Sequence, residues 1–227
     1  MDPSQRIDAF LWEKFNVDDI RELELRPVEE ESEEEGEGTE IKKIRMKIDE
    51  LFDIISVVGA GAFGIVIACR ERNSNRKFAL KIAAHENEQA ASSLKREKEM
   101  LVNMSHPNII RVYDMKAEYK NLVIMKMELG KESVSKYFER HVENTGQIGL
   151  PEEECAKIMK GLFKALAYMH DDQNIIHRDI KPDNIILGSS RDLTKVKVLD
   201  FGLAVQDTLA KITDFAKCGT FLYKPPE

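Results

Sequence analysis

The chain has 227 residues, 42% of them apolar, and can therefore bury the core of one or two globular domains. Its net charge of −7 is uneven, because residues 1–40 hold fifteen acidic and four basic residues, or −11, which leaves +4 for residues 41–227. A charge of +4 is too small to indicate nucleic-acid binding.

Targeting signals are absent from the sequence as given. No run approaches the roughly 18 consecutive apolar residues of a membrane span. The start also lacks the basic-then-apolar pattern of a signal peptide. We therefore expect no membrane partner and a cytoplasmic protein, with the nucleus as the alternative location.

An N-terminal leader, residues 1–28, is the first segment of the predicted organisation. Four of its apolar residues recur at helical spacing and indicate a short amphipathic helix. The sequence leaves three alternatives for this helix: it docks on the body, it binds a regulatory partner, or it frays. The four residues are Ile7, Phe10, Leu11 and Phe15.

A second segment, residues 29–40, reads EEESEEEGEGTE. Because its like charges repel one another and it has no apolar residue to bury, we predict a disordered linker.

The organised body is predicted to occupy residues 41–227. Residues 41–48 alternate apolar and basic side chains, which is typical of a strand or a lead-in segment. Three β-rich runs follow, separated by a glycine loop and by a turn at residues 73–75, so three consecutive antiparallel strands are expected. The runs are Leu51 to Val58, Ile65 to Arg72 and Lys77 to Ala83.

Two further strands and two helices are predicted beyond this hairpin region. A helix from Glu88 to Met104 has an apolar stripe, and the strands Ile110 to Lys116 and Leu122 to Met127 follow it. A second helix runs from Pro151 to about His170, since the three glutamates after the proline suit a helix N-terminus. The apolar stripes comprise Leu94, Leu101 and Met104 in the first helix and Ile158, Leu162, Phe163, Leu166 and Met169 in the second.

The predicted fold class is therefore α+β. A small five-stranded antiparallel β-lobe with one helix is joined through residues 128–131 to a mainly helical lobe, and the cleft holds the ligand.

A glycine-rich segment, residues 59–64 with the sequence GAGAFG, lies between two predicted strands. Its glycines allow backbone N–H groups to approach phosphate oxygens without obstruction by side chains. A dinucleotide-binding fold would continue into a helix, whereas residues 65–67 continue as a strand. The segment therefore indicates a phosphate loop outside the dinucleotide-binding class.

Lys81 lies in an apolar strand, where an unpaired ammonium group would be costly. We therefore expect it to meet anions, namely the α- and β-phosphates of a nucleotide and a glutamate on the following helix. Glu97 and Glu99 are both candidates for that glutamate.

The segment HRDIKPDN, residues 177–184, and the triplet DFG, residues 200–202, carry the candidate chemistry. Asp179 can accept the proton of an attacking hydroxyl, and Lys181 can neutralise charge on a transferring phosphoryl group. Asn184 and Asp200 supply oxygen ligands of the kind that magnesium prefers. His177 is interpreted as a backbone-bonded residue without an acid–base role.

The order of these motifs over residues 51–227 resembles that of eukaryotic-type protein kinases. Lys181 and the Gly219-Thr220 pair resemble the serine/threonine group rather than the tyrosine group. The resemblance implies ATP and Mg²⁺, a protein substrate with serine or threonine hydroxyls, and a structural role for Thr220 near Asp179 and Lys181. It also favours Glu97 over Glu99, and it implies that Arg178 pairs with a phosphorylated loop residue.

The same resemblance implies a set of nucleotide-contacting residues. Met125 would be the gatekeeper, and Lys126 to Glu128 would be the hinge that recognises adenine mainly through its backbone. The implied contacts are Val58, Gly59, Gly61, Phe63, Gly64, Val66, Ala79, Lys81, Glu97, Met125, Met127 and Glu128.

Kinases of this family continue beyond the segment that matches residues 225–227, so the resemblance implies an incomplete, mainly helical C-lobe. We expect the uncovered apolar surface to make this chain fold poorly on its own. Two functions are therefore weighed: an ATP-dependent protein serine/threonine kinase, and an inactive fragment that binds a nucleotide or a partner. A small-molecule phosphotransferase is disfavoured by Gly219-Thr220.

Overall fold

The computed structural model describes residues 25–26, 51–61, 64–85, 87–113, 118–119, 122–188, 192–206 and 219–223. The predictions for the leader helix, the acidic linker, the 41–48 segment and Phe63 lie outside these residues. The chain divides into a small unit, residues 1–95 and 112–129, and a large unit, residues 96–111 and 130–227.

The described strands of the small unit form a single antiparallel sheet, in the order β1-β6-β7-β4-β3-β2 with β5 also beside β7. The three predicted hairpin strands are confirmed as β2, β3 and β4. The strands are β1 (Leu25–Arg26), β2 (Phe52–Gly61), β3 (Gly64–Glu71), β4 (Lys77–Ala84), β5 (Val112–Tyr113), β6 (Glu118–Tyr119) and β7 (Leu122–Glu128). The β1 strand was missed, although residues 23–26 alternate apolar and charged side chains.

The two faces of this sheet carry different side chains, because successive residues of a strand point to opposite faces. One face, called the apolar face below, carries a buried cluster. Its members are Phe52, Ile65, Ile67, Cys69, Phe78, Leu80, Ile82, Leu122 and Ile124. Residues that pair directly across two strands lie on the same face, and four such pairs define the opposite face, called the lysine face below. The pairs are Val66–Lys81, Ala68–Ala79, Lys81–Met125 and Ala79–Met127.

Gly64, the last glycine of the GAGAFG segment, is required by a close backbone approach. Its φ of +115° lies in the region that side chains disfavour, and a Cβ there would lie 2.0 Å from the carbonyl oxygen of Ile82. This glycine therefore allows β3 and β4 to pair up to the end of the loop.

The first helix, α1 (Glu88–Val102), continues from the small unit into the large unit and confirms the first predicted helix. The Asn87 side chain accepts a hydrogen bond from the Ala90 N–H at 3.1 Å and so caps its N-terminus. The predicted stripe is buried at all three positions.

The remaining described elements belong to the large unit. They are β8 (Glu132–Ser133), α2 (Val134–Thr145), α3 (Glu152–Ala167), a π-helical turn at Tyr168–Asp172, β9 (Ile175–Ile176), β10 (Ile185–Leu187), β11 (Val196–Val198), β12 (Val205–Gln206) and three short 3-10 helices at Pro182–Asn184, Phe201–Leu203 and Phe221–Tyr223. Two small sheets result, one in the order β11-β10-β8 and the other pairing β12 with β9. Within the described ranges, no helix combines the length and apolar character needed to cross a membrane.

The α2 helix was not predicted, although a typical capping residue stands at each of its ends. The Ser133 hydroxyl accepts a hydrogen bond from the Lys136 N–H, and Gly146, with a φ of +69°, ends the helix in the left-handed conformation.

The α3 helix confirms the second predicted helix but corrects its buried face. Ile158, Leu162 and Met169 are buried as predicted, whereas Phe163 is 59% exposed. The buried stripe instead passes through Gly161 and Ala165, and Phe163 lies roughly 100° around the helix from Leu162 because each residue turns the helix by that angle.

Gly161 lets α3 approach β11. A Cβ at this position would lie 2.6 Å from both the Thr194 carbonyl oxygen and the Val196 Cγ2. The Asn108 side chain also donates to the Thr194 and Val196 carbonyls, at 3.0 and 2.7 Å, in the same contact. This packing positions β11, which leads directly to Asp200.

Replacing Gly161 with alanine should lower the free energy of unfolding by roughly 1–2 kcal/mol. Overpacking costs about 1–3 kcal/mol, and the 2.6 Å approach to a backbone carbonyl favours the upper part of that range, from which the roughly 1 kcal/mol that alanine gains in helix propensity is subtracted. Urea unfolding followed by circular dichroism measures the change. Lys160→Ala, at the exposed neighbouring position, should stay within about 0.5 kcal/mol of the wild type. An unchanged or more stable Gly161→Ala variant would contradict the close packing of α3 on β11.

Candidate active site

Asp179 is held by four hydrogen-bond donors, two on each carboxylate oxygen. Oδ1 accepts from the Thr220 N–H at 2.9 Å and from the Thr220 hydroxyl at 2.6 Å. Oδ2 accepts from the Asn184 amide and from the Lys181 ammonium, both at 2.9 Å. An ionised carboxylate offers about four acceptor positions, so this carboxylate is saturated in the observed conformation.

Burial by itself would raise the pKa of Asp179. The hydrogen bonds from Thr220 and Lys181, together with the positive charge of Lys181, outweigh burial and hold the pKa below its ordinary value. The carboxylate is therefore ionised at neutral pH and can act as a proton acceptor.

Thr220 has the structural role that was predicted for it. Its hydroxyl donates to Asp179 and accepts from the Lys181 ammonium at 2.8 Å. The three side chains thus form a closed ring of contacts between the 177–184 segment and the 219–223 segment.

His177 is bonded to the backbone, as predicted. Its ring is 1% exposed, and its Nε2 lies 3.0 Å from the Leu199 carbonyl oxygen. The Asp179 N–H donates to Nδ1 at 3.3 Å, which makes Nδ1 the acceptor and Nε2–H the donor. Burial lowers the pKa of His177, in agreement with a neutral ring. His177 therefore connects Leu199, the residue before Asp200, to Asp179, the candidate base.

Glu97 is buried to 2% exposure, whereas Glu99 is exposed. Its Oε1 accepts the backbone N–H of Phe201 at 3.2 Å, and the Phe201 ring packs edge-on against His177 at 4.8 Å. A buried carboxylate needs partners of this kind. The geometry thus favours Glu97 over Glu99, and its pairing with Lys81 stays a prediction.

Asn184 and Asp200 fit the chemistry of a magnesium site. The Asn184 amide nitrogen donates to the Asp179 carbonyl and carboxylate, which leaves its Oδ1 as a free oxygen ligand. The Asn184 carbonyl also accepts the Leu199 N–H at 3.0 Å, which ties Asn184 to the residue before Asp200. In the part of the chain described, no cluster of three or more His, Cys, Asp or Glu side chains could hold a metal. One amide and one carboxylate oxygen would suit Mg²⁺, which usually keeps waters and phosphate oxygens as its other ligands.

Two residues of the site adopt a strained backbone conformation. Arg178 and Asp200 both have a φ of +65°, although neither is glycine. Such conformations cost roughly 1–3 kcal/mol each and persist where surrounding contacts enforce them. One such contact is the hydrogen bond from Arg178 Nε to the Leu203 carbonyl at 2.7 Å.

A cavity of about 570 Å³ lies in the large unit beside residues 201–206. Arg178 lines it, and so does Arg96, which the sequence analysis did not single out. Both are arginines, the residue type best suited to bidentate anion binding. The feature of the sequence that could have singled out Arg96 is its position directly before Glu97.

The nucleotide-contacting residues predicted in the small unit lie on its sheet. Gly59, Gly61 and Gly64 lie on the paired strands β2 and β3, and the register breaks between Val57 and Gly59, which leaves Val58 unpaired and exposed. Val66, Ala79 and Lys81 share the lysine face with Met125 and Met127. Their contacts with a nucleotide stay predictions, as does the gatekeeper role of Met125, which is fully buried.

The predicted hinge, Lys126 to Glu128, lies at the end of β7, and its recognition of adenine stays a prediction. Lys126 and Met127 pair with Leu80 and Ala79 of β4 on one side and with β5 on the other, so both edges of their backbone face neighbouring strands. Glu128 is the last residue of β7, and the chain enters the large unit between Leu129 and Gly130.

Comparisons with known proteins identify the family. The model of the family described as "Protein kinase domain" matches residues 52–227. An Aurora kinase of Encephalitozoon cuniculi (strain GB-M1) is 36% identical over 179 residues, which are 78% of this chain and 62% of the relative. Aurora kinase B-A of Xenopus laevis is 34% identical over 192 residues, 83% of this chain and 49% of the relative.

Serine/threonine-protein kinase DCLK3 of Mus musculus is 32% identical over 187 residues, which are 81% of this chain and 22% of that relative. The chain thus spans between 22% and 62% of the length of these three relatives. The family match covers most of the chain and confirms the predicted α+β fold, so the chain belongs to the protein kinase family.

Proposed function

We propose that the protein containing this chain is an ATP-dependent serine/threonine kinase. ATP and a protein with a serine or threonine hydroxyl are its substrates, and Mg²⁺ is its cofactor. The observation that carries the proposal is the ionised Asp179 carboxylate within 2.9 Å of the Lys181 ammonium and the Asn184 amide. The name of the Mus musculus relative, serine/threonine-protein kinase DCLK3, supports the serine/threonine class.

In the proposed reaction, the substrate hydroxyl oxygen forms a bond to the γ-phosphorus of ATP while the bond to the β-phosphate oxygen breaks and ADP leaves. Asp179 accepts the hydroxyl proton as a general base. Lys181 stabilises negative charge on the transferring group. Magnesium, when held by Asn184 and Asp200, supplies charge neutralisation on the phosphates.

The saturated carboxylate of Asp179 adds a requirement to this mechanism. A substrate hydroxyl can reach Asp179 only if one of the four donors leaves, since each oxygen already accepts two hydrogen bonds. Thr220 supplies two of these donors from a separate segment, so its movement would open the base. The closed arrangement is also the observation that favours the second function, a chain that binds nucleotide without turnover.

Asp179→Asn should lower the rate of phosphoryl transfer by roughly 10²–10⁴-fold, because the amide cannot accept the proton. The measurement is transfer from labelled ATP to a basic serine/threonine peptide by the 227-residue chain. Asp183→Asn is the matched control, since Asp183 lies in the same segment but is exposed, and it should keep most of the activity. Equal rates for the wild type and Asp179→Asn, with magnesium-dependent ATP binding retained, would favour the binding function instead.

Thr220→Val should raise the pKa of Asp179, because the hydroxyl that donates at 2.6 Å is removed while the shape is kept. A titration of the Asp179 carboxyl carbon by NMR, assigned by comparison with Asp179→Asn, measures the shift. Thr220→Ser keeps the hydroxyl and should leave the pKa close to that of the wild type. The same pKa in all three proteins would show that Thr220 does not hold the carboxylate.

A further inference from the structure

Lys126 places a charged side chain on the apolar face of the small unit. It pairs across the strands with Leu80, a member of the buried cluster, so the two side chains lie on the same face. The Lys126 side chain is only 12% exposed. An ammonium group held among apolar residues is costly unless partners replace the water that it loses. The contacts of this ammonium group therefore bear on its role.

The Lys126 ammonium has one carboxylate and two aromatic rings as partners. Its nitrogen lies 2.6 Å from Oε1 of Glu71, 3.9 Å from the centre of the Phe78 ring and 5.4 Å from the centre of the Phe52 ring. A cation over an aromatic ring is attracted by the negative face of the ring, and more strongly where water is excluded. Both rings are 3% exposed. The charge is thus held at a defined place above the sheet.

The ion pair joins two strands that are not neighbours. Glu71 is the last residue of β3, Lys126 belongs to β7, and β4 lies between these strands in the sheet. The contact therefore crosses β4 above the ring of Phe78. Backbone hydrogen bonds of a sheet connect adjacent strands only. The ion pair adds a direct link between β3 and β7 that backbone pairing does not provide.

Glu71 is itself anchored at the turn between β3 and β4. Its carboxylate also accepts a hydrogen bond from the Ser74 hydroxyl. Its backbone N–H donates to the Arg76 carbonyl, and its carbonyl accepts the Asn75 N–H, both at 2.8 Å. The hydrogen bonds from Lys126 and Ser74 hold the pKa of Glu71 below its ordinary value, so the carboxylate is ionised at neutral pH. Lys126 is therefore tied to a charged group that the turn keeps in place.

The two linked strands carry predicted nucleotide contacts on their other face. Because successive residues of a strand alternate between faces, Met125 and Met127 flank Lys126 on the lysine face. On β3, Val66 lies on the lysine face opposite Lys81. A link between β3 and β7 on the apolar face thus constrains the spacing of these residues on the lysine face.

We propose that Lys126 is a positioning residue for ATP, and that its ion pair with Glu71 holds β7 and β3 in the arrangement that binds the nucleotide. The inference rests on the proposed function. Lys126 acts through its strand, because its side chain leaves the sheet on the face opposite Lys81. The proposed phosphoryl transfer has no step that uses this side chain. Loss of the ion pair should therefore weaken ATP binding.

Lys126→Met removes the charge and keeps an unbranched side chain beside the rings. The affinity of the 227-residue chain for ATP with magnesium, measured by isothermal titration calorimetry, should fall roughly threefold to tenfold, because fewer molecules hold the binding arrangement. Lys126→Arg keeps the charge and the contact with the rings, so it should recover most of this loss.

Arg72→Met is the matched control. It breaks a 2.8 Å ion pair with Asp53 near the same turn, but both of these side chains are about half exposed. Exposed pairs contribute little, so this variant should bind ATP like the wild type. A loss as large as that of Lys126→Met would show that any ion pair near the turn has the effect, and would overturn the specific role of Lys126.

Glu71→Gln tests the other half of the pair. If the two residues act as a unit, Lys126→Met/Glu71→Gln should bind ATP no more weakly than Lys126→Met alone, whereas additive losses would overturn the inference. Equal affinities of the wild type and Lys126→Met would overturn it and leave the proposed function intact. A wild type that does not bind ATP would overturn the proposed function, and the inference with it.

Thermal unfolding without nucleotide separates positioning from stability alone. A lower unfolding temperature of Lys126→Met, with unchanged ATP affinity of the folded protein, would assign a merely structural role to the pair and overturn the inference. Should Lys126→Met fail to fold, the affinity of Glu71→Gln carries the same test, because glutamine keeps the shape of the glutamate side chain and removes its charge.

Discussion

The arrangement of the large unit depends on the ionised carboxylate of Asp179. Lys181 and Asn184 donate hydrogen bonds to it from the same segment. Thr220 donates to it from a segment that lies 41 residues later in the chain. Taking a carboxylate out of water is costly unless donors replace the lost water. The need to satisfy this one charge therefore fixes the positions of three further side chains, two of which, Lys181 and Asn184, the proposed reaction also uses.

A second line of contacts connects this carboxylate to helix α1. The neutral His177 ring bonds the backbone at Asp179 and Leu199, Phe201 packs on that ring, and Glu97 accepts the Phe201 N–H. Each contact uses a buried group, so a displacement of α1 by one helical turn would leave the Glu97 carboxylate without its Phe201 donor. The position of the helix and the position of Asp200 are thereby coupled within the large unit.

Local signals in the sequence predicted the hairpin strands, the two long helices and the residues of the 177–184 segment. The alternation of side chains and the turn at residues 73–75 act over a few residues, so they are legible without a structure. The α2 helix was missed although Ser133 and Gly146 mark its ends. The exposure of Phe163 and the pairing of Lys126 and Met127 on both sides could not be predicted, because they depend on partners distant in sequence.

The sheet of the small unit shows how one strand serves two purposes. In β4, Phe78, Leu80 and Ile82 point to the apolar face, while Ala79 and Lys81 point to the lysine face. The side chains of Ala68 and Ala79, which share the lysine face with Lys81, are small, whereas the side chains of the apolar face are large and buried. A register slip of one residue would exchange these faces and bury the lysine in the cluster. The close approach at Gly64 therefore matters beyond the loop itself, since it allows the pairing of β3 with β4 on which the orientation of Lys81 depends.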